Sequence, residues 1–158
     1  MKTKITNTEF EKLPADSFEI RFRFSDGGRS LSARPREKND CTVKSLALVC
    51  GVGYDEARRF LARNGRRQND GFEYWNAFLD RQTEIFGHRL VKHSFPARKG
   101  ERRMRLDRFL KDFPAGRFIL TFADHVAPVV EGVVLDEVTD YFKRVIYTAY
   151  EFERGRRI

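Results

Sequence analysis

The sequence predicts an α+β protein in which helical segments come first and an antiparallel β-sheet follows. Between residues 39 and 113, apolar side chains recur three and four positions apart, which is the spacing of helices with one buried face. Between residues 117 and 150, Val, Ile, Phe, Tyr and Thr dominate, and these residues favour strands. The chain has 158 residues, 41% of them hydrophobic, which is enough for one core. We therefore predict a single domain over residues 1–158, with its core at about 17–152.

The first 38 residues predict little regular structure apart from one strand. Residues 1–16 are polar and irregular. From Ser17 to Phe24 apolar and charged residues alternate, which predicts a half-buried strand. Residues 25–38 are rich in Gly, Ser, Pro and Arg, so we expect a loop that forms one wall of a cleft.

A helix is predicted between Asn39 and Gly51. Asn39 or Asp40 can cap its start, and Gly51 stands where a left-handed cap ends a helix. One face carries the apolar residues Val43, Leu46, Ala47 and Cys50.

Cys41 lies in the first turn of this helix, roughly 200° around the axis from Val43. We expect it to face the cleft, whereas Cys50 joins the core, so the two thiols should not form a disulfide. The helix dipole and the free N–H groups of a first turn favour thiolate over thiol, which is the state a nucleophile needs. A small buried cysteine near a helix end is the structural alternative.

Further elements follow from the same patterns. Helices are expected at Tyr54 to Asn64, at about Phe72 to Phe86 and at Met104 to Phe113, with a weak strand at His88 to Phe95. Strands are expected at about 117–123, 125–130, 133–137 and 143–149.

Glu131-Gly132 is a candidate two-residue hairpin turn. That turn sets Val130 opposite Val133 and Ala127 opposite Asp136. His125 lies two residues from Ala127, so His125 and Asp136 share one face and lie diagonally, about 7–8 Å apart between Cα atoms. An imidazole beside a carboxylate is what a cysteine nucleophile uses as its base.

Other assignments remain open. His88 and His93 are competing bases, and Asp124 or Asp140 can replace Asp136. Two Cys and three His without metal-ligand spacing argue against a zinc site, and no glycine-rich phosphate loop is present, so we expect no cofactor.

The net charge is +8 and the pI about 9.8, with Arg concentrated at 58–67, 97–108 and 153–158. This basic surface suggests an acidic host protein or nucleic acid as a partner, or simple solubility. The first residues lack the apolar stretch of a signal peptide and no run approaches the ~20 apolar residues of a membrane span, so we expect a cytoplasmic protein.

The order of Cys41 at a helix start, His125 at a strand start and Asp136 on the next strand resembles the papain-like cysteine peptidases. The segments NDCTVKSLALVCG and FADHVAPVVEGVVLDE are similar to small bacterial and phage papain-like proteins related to bacteriocin leader peptidases. The resemblance covers residues 37–138. It implies a helical half packed on an antiparallel sheet.

The resemblance also implies roles for individual residues. Cys41 would be the nucleophile, His125 the general base and then acid, and Asp136 the orienting group. The family usually has an oxyanion-stabilising Gln six residues before the Cys, where this chain has Pro35. Asn39, with the backbone N–H of Cys41, is our candidate substitute.

The implied function is cleavage of a peptide or isopeptide bond through an acyl-enzyme, although the same residues can run transfer or deamidation. The alternative is a weak or inactive papain-like binding protein that uses its basic surface. Pro35 and the net charge of +8 motivate that second hypothesis.

Overall fold

The computed structural model describes residues 21–154, which form four α-helices and a seven-stranded sheet. The helices are α1 (Cys41–Cys50), α2 (Tyr54–Arg63), α3 (Trp75–Asp80) and α4 (Leu106–Asp112), and a 3-10 turn covers Arg29–Leu31. The strands are β1 (Phe22–Phe24), β2 (Glu84–Ile85), β3 (His88–Ser94), β4 (Arg117–Phe122), β5 (His125–Val130), β6 (Val133–Asp136) and β7 (Thr148–Arg154). The α+β class is confirmed.

The sheet has the strand order β1-β6-β5-β4-β7-β3-β2 and is mixed. Strand β1 runs parallel to β6, and the other pairs are antiparallel. The expectation of a purely antiparallel sheet was therefore wrong. It failed because β1 joins the edge from the chain's first segment, far in sequence from its partner, where no hairpin dictates the direction.

Helices cover both faces of the sheet. Buried residues of α1, α2 and α3 form one core cluster with Ile119 and Val126, whereas α4 packs in a second cluster with Phe118 and Leu120. Neighbouring residues of β4 point to opposite faces, so this strand contributes to both clusters. The arrangement places the start of α1 beside the start of β5.

The turn at Glu131-Gly132 is confirmed, and so is its register, since Val130 pairs with Val133. Both turn residues have positive φ, 50° and 77°, as a two-residue hairpin of this kind requires. A Cβ at Gly132 would lie 2.9 Å from the carbonyl oxygen of Pro114. Only glycine fits there without a shift of the neighbouring chain.

Two expected elements were placed wrongly. The helix expected over 72–86 is limited to Trp75–Asp80, because Tyr74 has φ 58° and the chain continues into a short hairpin turned by Phe86 and Gly87. The strand expected at 143–149 is instead Thr148–Arg154.

Other boundaries are close to those expected, including β3, α4 and the strands β4 to β6. The first part of the strand expected from Ser17 lies outside the described residues. Within residues 21–154, no helix has the length and apolar character needed to cross a membrane.

Candidate functional site

Cys41 is the first residue of α1, and Gly51 ends the helix with φ 68°, as expected. Asp40 occupies the N-cap position but makes no side-chain bond to the first turn. Its buried carboxylate instead accepts hydrogen bonds from Arg29 at 3.1 Å and from the Tyr54 hydroxyl at 2.8 Å. The first-turn N–H groups therefore receive no cap from Asp40 and remain a source of donors beside the thiol.

His125 and Asp136 lie together as the hairpin register predicts. The Nε2 atom of His125 is 2.8 Å from Oδ2 of Asp136. The carboxylate is only 3% exposed, and it also accepts hydrogen bonds from the Tyr141 hydroxyl and, at 2.7 Å, from the N–H of Glu137. A buried carboxylate with these donors fixes the imidazole and leaves Nδ1 as the ring nitrogen for the thiol.

The His125 imidazole lies beside the Cys41 thiol, and each group shifts the pKa of the other. Burial alone raises the pKa of the Cys41 thiol, but the hydrogen bond with His125, the N–H of Val126 and the charges of His125 and Lys44 together lower it. Burial lowers the pKa of His125, but hydrogen bonds with Asp136 and Cys41 raise it to about 9. Both shifts act in the direction that favours a thiolate facing an imidazolium.

A cluster of charged side chains lies behind the pair, on the side of β6. The Nζ atom of Lys44 is 2.8 Å from Glu137 and 3.9 Å from each of Asp40 and Asp136. Arg29 bonds Glu137 at 2.7 Å and Asp40 at 3.1 Å. The cluster ties the first two turns of α1 to the end of β6, and so holds Cys41 in position relative to Asp136.

We expect Lys44→Met to raise the pKa of the Cys41 thiol, because the Lys44 charge is one of the groups that stabilise the thiolate. Lys44→Arg keeps the charge and should leave this pKa close to that of the native chain. The measurement is the rate of alkylation by iodoacetamide as a function of pH. A titration midpoint that is the same for Lys44→Met and the native chain would show that Lys44 does not act on the thiol.

An open cavity of about 1000 Å³ adjoins Cys41 and His125. Thr42, Asp124 and Val126 line the cavity next to Cys41 and His125. The other wall is formed by the chain between α2 and α3 and by α3 itself. That wall includes the aromatic residues Phe72, Tyr74, Trp75 and Phe78. The cavity gives an extended ligand access to the thiol.

The segment before Cys41 is fastened to this wall by a buried ion pair. Arg66 bonds the Glu37 carboxylate at 2.8 Å, and their side chains are 2% and 1% exposed. Arg66 also donates to the carbonyl oxygen of Lys38 at 3.1 Å. Asn69 continues the junction, because its N–H donates to Glu37 and its side chain accepts from the N–H of Lys38.

The side-chain amide of Asn39 is engaged in this junction. Its Nδ2 atom donates to the carbonyl oxygen of Asn69 at 2.9 Å, and Asn39 is not among the residues that line the cavity. The structure therefore shows the Asn39 amide engaged with Asn69 and not lining the cavity beside Cys41. The backbone N–H groups at the start of α1 are the donors that remain near the thiol.

The competing residues have other contacts. His88 bonds the carbonyl oxygen of Phe86, and His93 bonds Glu151 on β7. Asp124 lines the cavity, whereas Asp140 is exposed. Cys50 is free and buried, and burial raises the pKa of its thiol to about 12, so it stays protonated.

Sequence reasoning missed two contributors to the site. Tyr141 lies in the connection after β6, where no periodicity marks it as a partner of Asp136. Lys44 appeared only as a polar residue of an amphipathic helix. The carboxylate partners of Lys44 come from two segments, with Asp40 in one and Asp136 and Glu137 in the other.

The fold brings together a thiol, an imidazole and a carboxylate from α1, β5 and β6. Among residues 21–154 there is no group of three or more His, Cys, Asp and Glu side chains arranged to hold a metal ion. Comparison with protein-family models, curated proteins and solved structures found no match for this chain.

Proposed function

We propose that the protein is a papain-like thiol hydrolase that cleaves a peptide or isopeptide bond through an acyl-enzyme. The observation that carries the proposal is the placement of the Cys41 thiol beside His125, with Asp136 2.8 Å from the imidazole and the thiol open to a cavity. The lowered pKa of Cys41 and the raised pKa of His125 support it, because each shift favours the reactive charge state.

In the first half of the proposed reaction, the Cys41 thiolate attacks the carbonyl carbon of the substrate. The carbonyl oxygen becomes an oxyanion, which the backbone N–H groups at the start of α1 stabilise. The tetrahedral intermediate collapses, the C–N bond breaks, and the His125 imidazolium gives its proton to the leaving amine. The acyl group is then held as a thioester on Cys41.

In the second half, neutral His125 accepts a proton from water as the water oxygen attacks the thioester carbon. Collapse releases the carboxylic acid and restores the thiolate and the imidazolium. Asp136 stabilises the imidazolium whenever His125 is protonated, and the hydrogen bond from Tyr141 fixes the carboxylate. An amine in place of water would give transfer by the same steps.

The papain-like assignment rests on the order and placement of these groups. The nucleophile begins a helix that packs on a sheet, and the imidazole and carboxylate belong to neighbouring antiparallel strands. The chain differs from the family pattern at Pro35, which stands where a Gln is usual. Backbone donors at α1 replace that side chain in our proposal.

Labelling with an electrophilic thiol probe tests the proposed nucleophile. We expect stoichiometric labelling at Cys41 in the native chain and in Cys50→Ser, none at this position in Cys41→Ser, and much slower labelling in His125→Ala. Peptide mass mapping identifies the modified residue. Labelling that is equally fast in the native chain and in His125→Ala, or that occurs mainly at Cys50, would reject the proposal.

An inactive binding protein with the same fold is the second candidate, and the engagement of the Asn39 amide with Asn69 favours it. Such a protein would react with the probe but would not turn over a substrate. Incubation with a mixed peptide library, followed by mass spectrometry for new termini and for a thioester on Cys41, separates the two. Persistent absence of both, with normal labelling, would favour the binding protein.

A further inference from the structure

Two basic segments that are distant in sequence lie side by side in the structure. Residues 96–105 connect β3 to α4, and residues 143–144 belong to the connection before β7. An isolated antiparallel bridge joins Arg105 to Val145. The N–H of Ile146 donates to the carbonyl of Met104 at 2.9 Å, and the N–H of Leu106 donates to that of Arg144 at 3.0 Å.

This pairing concentrates the positive charge of the chain. The two segments hold seven Lys and Arg side chains and one carboxylate, so +6 of the net charge of +8 lies here. We call residues 96–105 with 143–144 the cationic surface. The sequence places these charges in two clusters 40 residues apart, and only the fold brings them together.

Most of these cations face solvent without an acidic partner. Arg98, Lys99, Arg102 and Lys143 are exposed, and within residues 21–154 none of them forms an ion pair. Arg105 pairs with Asp107, and the Arg103 guanidinium lies 5.0 Å from the ring centre of Tyr147. Several exposed positive charges close together attract an anionic ligand and steer its approach.

The cationic surface reaches the proposed catalytic residues. The guanidinium of Arg144 lies 5.5 Å from the ring centre of Phe122, and the ring centres of Phe122 and His125 are 6.2 Å apart. Tyr141, which bonds Asp136, contacts Phe122 as well. One aromatic ring therefore separates the edge of the surface from the imidazole.

We propose that the cationic surface binds an acidic segment of the polypeptide whose bond is presented to Cys41. This inference rests on the proposed function, because that function is what identifies the ligand as a polypeptide. Planar guanidinium groups bind carboxylates through paired hydrogen bonds. The Arg144 end of the surface is separated from His125 only by the buried ring of Phe122, so a polypeptide bound along the surface is close enough to present a neighbouring bond to Cys41. The substrate class is thus a protein with Asp or Glu residues flanking the cleaved bond.

Binding is measured with the full chain carrying Cys41→Ala, so that no chemistry interferes. The probe is a fluorescein-labelled oligoglutamate peptide, followed by anisotropy at several salt concentrations, with an oligoglutamine peptide of equal length as the neutral control. We expect salt-sensitive binding of the acidic peptide alone. Arg98→Glu/Arg102→Glu should weaken it about tenfold or more, which is typical for loss of close charge pairs.

Arg59→Glu/Arg63→Glu is the matched control. It replaces two exposed Arg residues of α2 that are also four positions apart, and it changes the net charge by the same amount as Arg98→Glu/Arg102→Glu. It should change the affinity less than about threefold, because these charges lie outside the cationic surface. Equal weakening by both double variants would overturn the proposal. Tighter binding of a single-stranded oligonucleotide than of oligoglutamate would overturn it too, in favour of a nucleic-acid surface.

The result is separable from the test of the proposed function. Arg98→Glu/Arg102→Glu with Cys41 intact should label with the thiol probe as fast as the native chain, because neither residue contacts Cys41 or His125. Loss of peptide binding with normal labelling supports the surface. Absence of peptide binding in the parent Cys41→Ala chain rejects the surface and leaves the thiol chemistry standing.

Discussion

Replacement of Arg66 by Met is expected to lower the free energy of unfolding by about 3 kcal/mol, the lower end of the range for breaking a buried ion pair. The substitution leaves the Glu37 carboxylate buried without its cation, and it removes the donor to the carbonyl of Lys38. We take the lower end because the pair lies in surface connections instead of between the sheet and a helix. Urea unfolding followed by circular dichroism measures the change.

Two variants make this expectation specific. Arg63→Met removes an exposed Arg three residues earlier and should change stability by less than about 0.5 kcal/mol. Glu37→Gln combined with Arg66→Met removes both charges and should recover part of the loss, since the remaining cost of burying an unpaired carboxylate disappears. A double variant as unstable as the sum of the two single variants would show that the two side chains act independently.

The contacts of Arg66 also affect the position of Cys41. Arg66 and Asn69 hold residues 37–39, which lead directly into Cys41. If these contacts are lost, residues 37–39 no longer hold the first turn of α1 in one position beside the cavity. We therefore expect slower labelling of Cys41 in Arg66→Met even at temperatures where the variant remains folded.

The relation between His125 and Asp136 was predictable because it depends on local rules. A two-residue turn at Glu131-Gly132 fixes the register, and the alternation of side chains along a strand then fixes the face. Helix α1 was predictable for a similar reason, since its apolar spacing and Gly51 both act within the segment. These features need no information about distant parts of the chain.

The features that failed depend on contacts between distant segments. The helix expected over 72–86 has apolar residues at suitable positions, but Tyr74, Phe86 and Gly87 adopt positive φ and give a short helix and a hairpin. The hydrogen bond between the Asn39 amide and Asn69, 30 residues away, is likewise not predictable from the local sequence. The contacts of Lys44 with Asp136 and Glu137 also arise only when α1 and β6 meet.

Asp136→Asn is expected to slow modification of Cys41 at neutral pH by about tenfold or more, because each unit by which the thiol pKa rises lowers the thiolate fraction about tenfold. The amide preserves the shape of the side chain but not its charge. Because the Asp136 carboxylate is a main cause of the raised pKa of His125, its loss should lower that pKa from about 9. The imidazolium that stabilises the Cys41 thiolate then forms less readily. Asp140→Asn is the control. Asp140 is exposed and lies in the connection after β6, so this variant should label at the native rate.

The pH dependence gives an independent readout of the same pair. In the native chain the pKa of His125 is raised in the folded state, so the stability it contributes is complete below its unfolded value of 6.5 and is lost as pH rises through about 9. Asp136→Asn should remove most of this loss, and its urea midpoint should change less between pH 6 and 9 than that of the native chain. A variant that keeps the native pH dependence would mean that another group raises the pKa of His125. In that case slow labelling would have to come from displacement of the imidazole, because its protonation would be unchanged.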